Sequence, residues 1–365
     1  MKQLKQTALS LLLSAAMVSP VFANANTNNW WLVPVATEAE DYSPAQANQI
    51  MGALHRLETD NHVLYLFGSV HAGREDWFPL AQPVQDAMAR ADVFALETDI
   101  FAATEEDLLA LAEAFASFEF LPEGQTLAGL LPMDVYTGFV DVLAMFGMDY
   151  DQFYAMNPMV LQTMLLQHVL LPMVTELSWA TSVDEHVFDI ALANERPVLG
   201  LTPLYSELQD LFQLPDAAMI EVAEGTIVAA ELWLDIVSEA LSLEELREHP
   251  LVQELLWLEY FAEVYLVNDI EGMIDSMATA MFLYNEEPTP MESHMRYVLQ
   301  FQRSIQFAQA IVELLETTEE PTTFFVTLGI SHLLRGGHGF DGDGITNVIA
   351  YLRAAGFELE PVVLD

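Results

Sequence analysis

The stretch from His62 to Glu97 restricts the possible folds more than any other part of the chain. His62-Val-Leu-Tyr-Leu-Phe67 is a short β-rich run that ends at Gly68. Pro83 to Arg90 (PVQDAMAR) carries a helical pattern, and Asp92-Val-Phe-Ala-Leu-Glu97 is a second strand with an acid at its far end. Strand, helix and strand with such short connections predict a right-handed parallel crossover. A second α/β block closes the chain. Thr322-Thr-Phe-Phe-Val-Thr-Leu328 reads as a strand bounded by Gly329, Ile345 to Ala355 as a helix stopped by Gly356, and Phe357 to Leu364 as a last strand. Between the blocks, residues 102–180 and 216–315 carry apolar residues at helical spacing. Such stripes pack a core far more often than they hold a cofactor. Residues 183–200 add one more helix (Asp184 to Asn194) and strand (Arg196 to Gly200).

One pattern recurs at long range. A strand followed by Gly-x-x-His occurs at Gly68-Ser-Val-His71 and again at Gly329-Ile-Ser-His332. In an open parallel sheet, ligands bind outside the carboxyl ends of the strands. His71 and His332 both stand just past such an end, and Glu97 closes a third strand. The glycine before each histidine is expected to let the backbone turn sharply. The small serine between is expected to leave room for a ligand. Two neutral imidazoles and one carboxylate can hold a divalent metal with open positions, Mn, Co or Zn, among which the sequence does not choose. Such an ion would lower the pKa of water and polarise a carbonyl. A buried histidine hydrogen-bonded at a strand end is the competing reading of the same residues.

Charge and composition then exclude whole classes. There are 55 acids against 11 Lys plus Arg, a formal charge of −44. Lys2 and Lys5 are the chain's lysines, so every later basic side chain of that set is an arginine. Such a surface repels phosphate backbones, so no nucleic-acid partner is expected. Without Cys there are no disulfides, thiolate nucleophiles or Cys-based metal sites. A lysine-poor, acid-rich surface fits a protein meeting high salt, where screening weakens self-repulsion. It also fits attraction of a cationic partner.

Residues 1–23 read as a secretory signal, with a basic start, an apolar run from Thr7 to Met17 and Val21-Phe22-Ala23 at the cleavage positions. A cleaved signal would put the mature chain in the periplasm or outside a Gram-negative-type bacterium; the alternative on the same features is an uncleaved membrane anchor. Residues 24–49 read as a polar linker and 50–365 as a single domain. From Phe153 to Met173 there is no charged side chain of the Asp, Glu, Lys or Arg type, but Asn157, Gln162, Gln167 and His168 interrupt it and Pro158 and Pro172 bracket its middle. A buried helix or the lining of an apolar groove fits it better than a membrane span, so no transmembrane helix is expected in the mature chain. Asp341-Gly-Asp-Gly344 lacks the closing Glu of a calcium loop and reads as a turn; His338 reads as a loop histidine near His332. Gly-x-Ser-x-Gly and Walker loops are absent.

The segments LYLFGSVHAG, WFPLAQPVQDAMARADVFALETDI, TSVDEHVFDIALANERPVLGL and FFVTLGISHLLRGGHGFDGDGITNVIAYLRAAGFELEPV together resemble the TraB/GumN family, which includes the metal-dependent Tiki proteases. The resemblance runs in order from about residue 50 to the C-terminus. It implies an α/β fold whose central sheet is built from the N- and C-terminal blocks, with a large helical middle section. It implies a divalent-metal centre at His71, Glu97 and His332, with Glu97 as third ligand or as general base. Arg303-Ser304 takes the place of a family Arg-Asn pair opening the last long helix. Arg303 is thereby a catalytic candidate that stabilises negative charge or fixes a substrate carboxylate, or else a helix-surface arginine paired with an acid. Ser304 for Asn puts the amide contact in question. Leu201-Thr202 stands where the family often has Leu-Glu, and Ile330-Ser331 adds bulk to the commoner Gly-Ala-Gly-His. Asp184 matches a recurrent family Asp, although an N-cap of the following helix explains it equally well. The function so implied is an exported metal-dependent hydrolase acting on a peptide or small-molecule substrate, a peptidase fitting best. The alternative is a non-catalytic periplasmic binding protein that keeps the fold.

Overall fold

A computed structural model of the chain describes residues 50–98, 117–163, 181–203, 213–238, 260–274, 289–334 and 347–363, with a few single positions between them. The expected signal segment, the polar linker, His338 and the 341–344 turn lie outside the described residues.

Among the described residues, six strands form one mixed sheet: β1 (His55–Glu58), β2 (His62–Ser69), β3 (Val93–Thr98), β4 (Val198–Thr202), β5 (Thr322–Gly329) and β6 (Leu359–Pro361). Their spatial order is β4-β3-β5-β2-β1-β6. The N- and C-terminal blocks therefore interleave in an α/β fold. β5 runs parallel between β2 and β3, and β4 continues the parallel set beyond β3. The link from β2 through α1 (Gln82–Arg90) to β3 is a parallel crossover as expected, but it strides over β5 rather than joining neighbours. The far edge is antiparallel, β1 pairing with both β2 and β6.

β1 has no counterpart among the expected strands. HRLE offers a single apolar residue, Leu57, to the core. What holds it is the turn at Thr59, whose backbone N–H donates to the His62 carbonyl and whose Oγ1 accepts from the His62 N–H at 2.9 Å. The last strand is shorter than expected, covering three residues of the tail. Pro361 ends it at the sheet edge, where a residue without an N–H is tolerated.

Side chains alternate between the two faces with the period of two that a strand imposes. Tyr65, Phe67, Phe94, Leu96 and Phe325 face α1, the helix α2 (Val183–Ala193) and Tyr265. Leu64, Leu66, Ala95, Phe324, Val326 and Leu328 face α3 (Arg303–Thr317) and α4 (Val348–Ala354). Covered on both faces, β2, β3 and β5 read as continuous apolar runs rather than alternating ones. Each fully buried Phe or Leu contributes about 1.5–3 kcal/mol.

Starts and stops follow local chemistry. Pro83 occupies the first turn of α1, where its missing N–H is no loss. Asn347 caps α4 by accepting from the Ala350 N–H at 2.7 Å, and Gly356 ends it at φ +95°. The middle of the chain packs around its own apolar cluster. Phe139, Leu143, Met159 and Leu161 meet Ala218, Val222 and Ala230 there. Gly138 and Gly225 allow the close approaches, since a side chain at either would strike Ile227 or Gln162. Within the uncharged stretch, Phe153, Met156, Met159, Val160 and Leu161 are buried in this cluster, and Pro158–Thr163 is a core helix. Among the described residues no helix is long and apolar enough to cross a membrane.

Candidate active site

Three strands end side by side at one edge of the sheet, and the register sets their alignment. Ser69 of the first Gly-x-x-His motif lies opposite Gly329 of the second, so the motifs are staggered by one residue. Neither Gly68 nor Gly329 has a positive φ, and Gly329 sits at φ −50°, ψ 129°. The expected sharp turn is thus corrected: these glycines provide space. A side chain at Gly68 would lie 2.7 Å from Ile330 Cγ1 and 2.8 Å from the Gly52 carbonyl oxygen. The first carbon of a side chain at Gly329 would lie 3.0 Å from Glu97 Oε1, 3.5 Å from His71 Nε2 and 3.6 Å from His332 Cδ2. The fit is reciprocal. Ile330 of the second motif fills the space over the first motif's glycine, and His71 of the first reaches over the second's. The bulk of Ile330 is therefore buried in the core at 2% exposure, away from the pocket.

His71, Glu97 and His332, distant in sequence, converge around that one point. Glu97 lies at the end of β3 and accepts a hydrogen bond from the Gly329 N–H through Oε1. The same oxygen stands 3.9 Å from His332 Nε2. Thr202 Oγ1, on the neighbouring strand, donates to the Glu97 carbonyl at 2.8 Å and so fixes its backbone. Arg303, the first residue of α3, is 2% exposed and stands 3.7 Å from Glu97 Oε2. Its guanidinium lies 4.7 Å from the Phe307 ring centre. Arg303 is thus placed behind the carboxylate rather than on the helix surface. Burying two such charges carries a desolvation cost that their attraction and the aromatic face beside the guanidinium offset in part.

Both histidines are held through Nδ1. Ser304 Oγ lies 2.9 Å from His332 Nδ1, and the Phe307 ring meets the His332 ring edge-on. The serine thus keeps a polar contact to the ring. His71 Nδ1 lies 2.9 Å from Asp184 Oδ2, while Ser69 Oγ donates to Asp184 Oδ1 at 2.6 Å. Ser69 is therefore a hydrogen-bond donor to a neighbouring element rather than a spacer. Asp184 does not cap its helix. The N-cap of α2 is Ser182, which accepts from the Glu185 N–H, leaving the Asp184 side chain to face the pocket. A backbone bond from the Val183 N–H to the Val70 carbonyl ties the start of that helix to the strand end.

Burial alone would raise the Asp184 carboxyl, but the facing His71 and the hydrogen bonds from His71 and Ser69 outweigh it and hold it below the usual carboxylate value. Burial, with the nearby Asp184 charge adding, pushes the Tyr265 hydroxyl well above its ordinary value. Tyr265 therefore stays a donor, and it donates to the Gly68 carbonyl at 2.9 Å. The two histidines differ in access: the His71 side chain is 53% exposed and that of His332 is 9% exposed.

Donor chemistry fits a divalent cation. Each Nδ1 is engaged by a partner, as metal-ligating histidines usually are; His332 Nε2 faces Glu97, and His71 Nε2 borders the space above Gly329. The spacing is looser than a closed shell. Bonds of about 2.1 Å imply roughly 3.4 Å between tetrahedral ligand atoms, whereas His332 Nε2 and Glu97 Oε1 are 3.9 Å apart. Accordingly, among the described residues no group of three His, Asp or Glu side chains is close enough to hold an ion as placed.

Compared with known proteins, residues 53–361 match the model described as the TraB/PrgY/gumN family. No curated protein and no solved structure matches the chain.

Proposed function

The chain belongs to the TraB/PrgY/gumN family, and from that premise we propose that it is an exported metal-dependent hydrolase that cleaves an amide bond, with a peptide as substrate. The observation that carries the reading is the convergence of Glu97 Oε1, His71 Nε2 and the His332 ring within 3.6 Å of one point above Gly329. His71 and His332 would hold a Mn, Co or Zn ion through Nε2, with Glu97 beside them. Such an ion supplies Lewis acidity toward a carbonyl oxygen and toward water.

The chain's own groups do the rest. Glu97 Oε1 accepts the proton of the attacking water, and the Gly329 N–H keeps that oxygen in place. Arg303 stands 3.7 Å from the other carboxylate oxygen, keeps Glu97 from turning away and supplies the positive charge that stabilises negative charge developing at the site. Phe307 excludes water behind His332. The exposed edge of His71 marks the side from which a substrate enters. The basic start at Lys2 and Lys5 and the apolar run behind it support export.

A second reading, a non-catalytic binding protein using the same cleft, draws on the looseness of the pocket. One experiment separates the two. Purified protein is melted with and without Mn²⁺, Co²⁺ or Zn²⁺, and assayed on a quenched peptide library. The hydrolase reading expects a rise in melting temperature and cleavage, both lost in the His71→Ala/His332→Ala double variant. An unchanged melting temperature with every ion, together with no cleavage, would favour the binding protein.

A further inference from the structure

Asp184 and Ser304 address equivalent nitrogens of the two histidines with unlike chemistry. Resting on the reading that His71 acts through Nε2, we propose that Asp184 is a positioning residue: seated by Ser69, it imposes the Nδ1–H tautomer on His71 and so presents the Nε2 lone pair to the pocket.

The argument is one of donors and acceptors. An ionised carboxylate only accepts. Asp184 Oδ1 already accepts the Ser69 hydroxyl at 2.6 Å, and Oδ2 faces His71 Nδ1 at 2.9 Å. A nitrogen at that distance from an acceptor-only oxygen carries the proton. In a neutral imidazole this leaves Nε2 without one. That nitrogen lies 3.5 Å from the pocket point shared with Glu97. Ser304 imposes no such choice. A hydroxyl donates or accepts, so the His332 tautomer is set by what lies at its Nε2.

The need for a fixed tautomer is greatest at His71. Its side chain is half exposed, and solvent alone would let the ring turn or exchange its proton between nitrogens. His332 is enclosed by Phe307 and Glu97 and needs less control. The anchor is also well built. Asp184 is buried on a helix whose start is tied to the strand end by the Val183 to Val70 backbone bond.

Removing the acceptor tests the proposal. Asp184→Ala takes the carboxylate away from His71 Nδ1, so the half-exposed ring can carry its proton on either nitrogen. Ser69→Ala also removes a buried hydrogen bond but keeps the carboxylate opposite Nδ1, and so keeps the Nδ1–H form. A merely structural role predicts that the two variants disturb His71 alike.

The readout is the ¹⁵N spectrum of histidine-labelled, chelator-treated full chain at a pH above the histidine range. The wild type is expected to show His71 with a protonated Nδ1 and an unprotonated Nε2. Ser69→Ala should leave His71 in the Nδ1–H form, whereas Asp184→Ala should give it a mixture of the two tautomers, with His332 unchanged in both. Affinity for Zn²⁺ should fall about 10–100-fold in Asp184→Ala, the usual cost of losing a partner behind a ligating histidine. A wild-type His71 protonated on Nε2 overturns the proposal without any variant having to fold, and so does a Ser69→Ala protein whose His71 departs from the wild type as far as that of Asp184→Ala. A wild type with the expected tautomer that binds no divalent ion leaves the positioning role standing and defeats the hydrolase reading instead.

Discussion

Substituting Gly329 by alanine tests the pocket without dismantling the protein. The backbone there, φ −50° and ψ 129°, is open to any residue, so the change introduces no dihedral strain. Losing a glycine also narrows the unfolded ensemble, which stabilises by about 0.4–1 kcal/mol. Against this, the new methyl meets Glu97 Oε1 at 3.0 Å, and that oxygen must give by a few tenths of an ångström. Overpacking of this kind costs roughly 1–3 kcal/mol. The net destabilisation is therefore about 0–2.5 kcal/mol, and urea unfolding should report a folded, cooperative protein. Yet the methyl occupies the point on which Glu97, His71 and His332 converge. Ion binding by calorimetry and peptide cleavage should each drop by about 100-fold or more, since even small misplacements at a reacting centre cost that much. A Gly329→Ala protein that binds Zn²⁺ and cleaves peptide like the wild type would refute the assignment of this point as the reactive centre.

Other outcomes follow from the same geometry. Gly68→Ala should cost more stability than Gly329→Ala, about 3 kcal/mol or more, because its methyl strikes the Gly52 backbone oxygen as well as Ile330; a neutral melting curve would contradict the interlocked motifs. Arg303→Met leaves Glu97 buried without its cation and should cost about 3–5 kcal/mol; adding Glu97→Gln should recover part of it in a double-mutant cycle. Stability should also depend on acid. Burial lowers the His186 pKa against the opposing pull of Asp189, and burial lowers that of His55 against its bond to the Ala53 carbonyl, with Arg353 adding to the fall. The unfolded chain then binds more protons than the folded one as pH drops below the ordinary 6.5, so stability is full above that value and declines until the lowered folded values are passed. Replacing both by Gln should flatten urea midpoints across this window, and an unaltered slope would exclude them as the cause. Ser304→Ala, which strips the His332 ring of its hydroxyl contact, should cost about 1 kcal/mol in urea unfolding.

Local pattern in the chain was enough to find the parallel core strands, because strands buried on both faces must be short apolar runs closed by turn residues. It also marked His71, Glu97 and His332, since chemistry gathers where such strands end. β1 escaped notice because a four-residue edge strand with one apolar side chain is made by its turn and its neighbours, not by its own composition. The Asp184 side chain could equally have capped its helix; only the closing of α2 onto the β2 end turned it to His71, with Ser182 taking the cap. Arg303 read equally well as a surface cation until α3 laid it behind Glu97.

The residue types and the strand ends were thus written in the chain itself, because each depends on neighbours a few positions away. Which strand lies between which, and the one-residue stagger that lets each motif's side chain rest on the other motif's glycine, were decided by tertiary structure. Contacts across hundreds of residues depend on how two sheet faces are filled, and no local spacing carries that information.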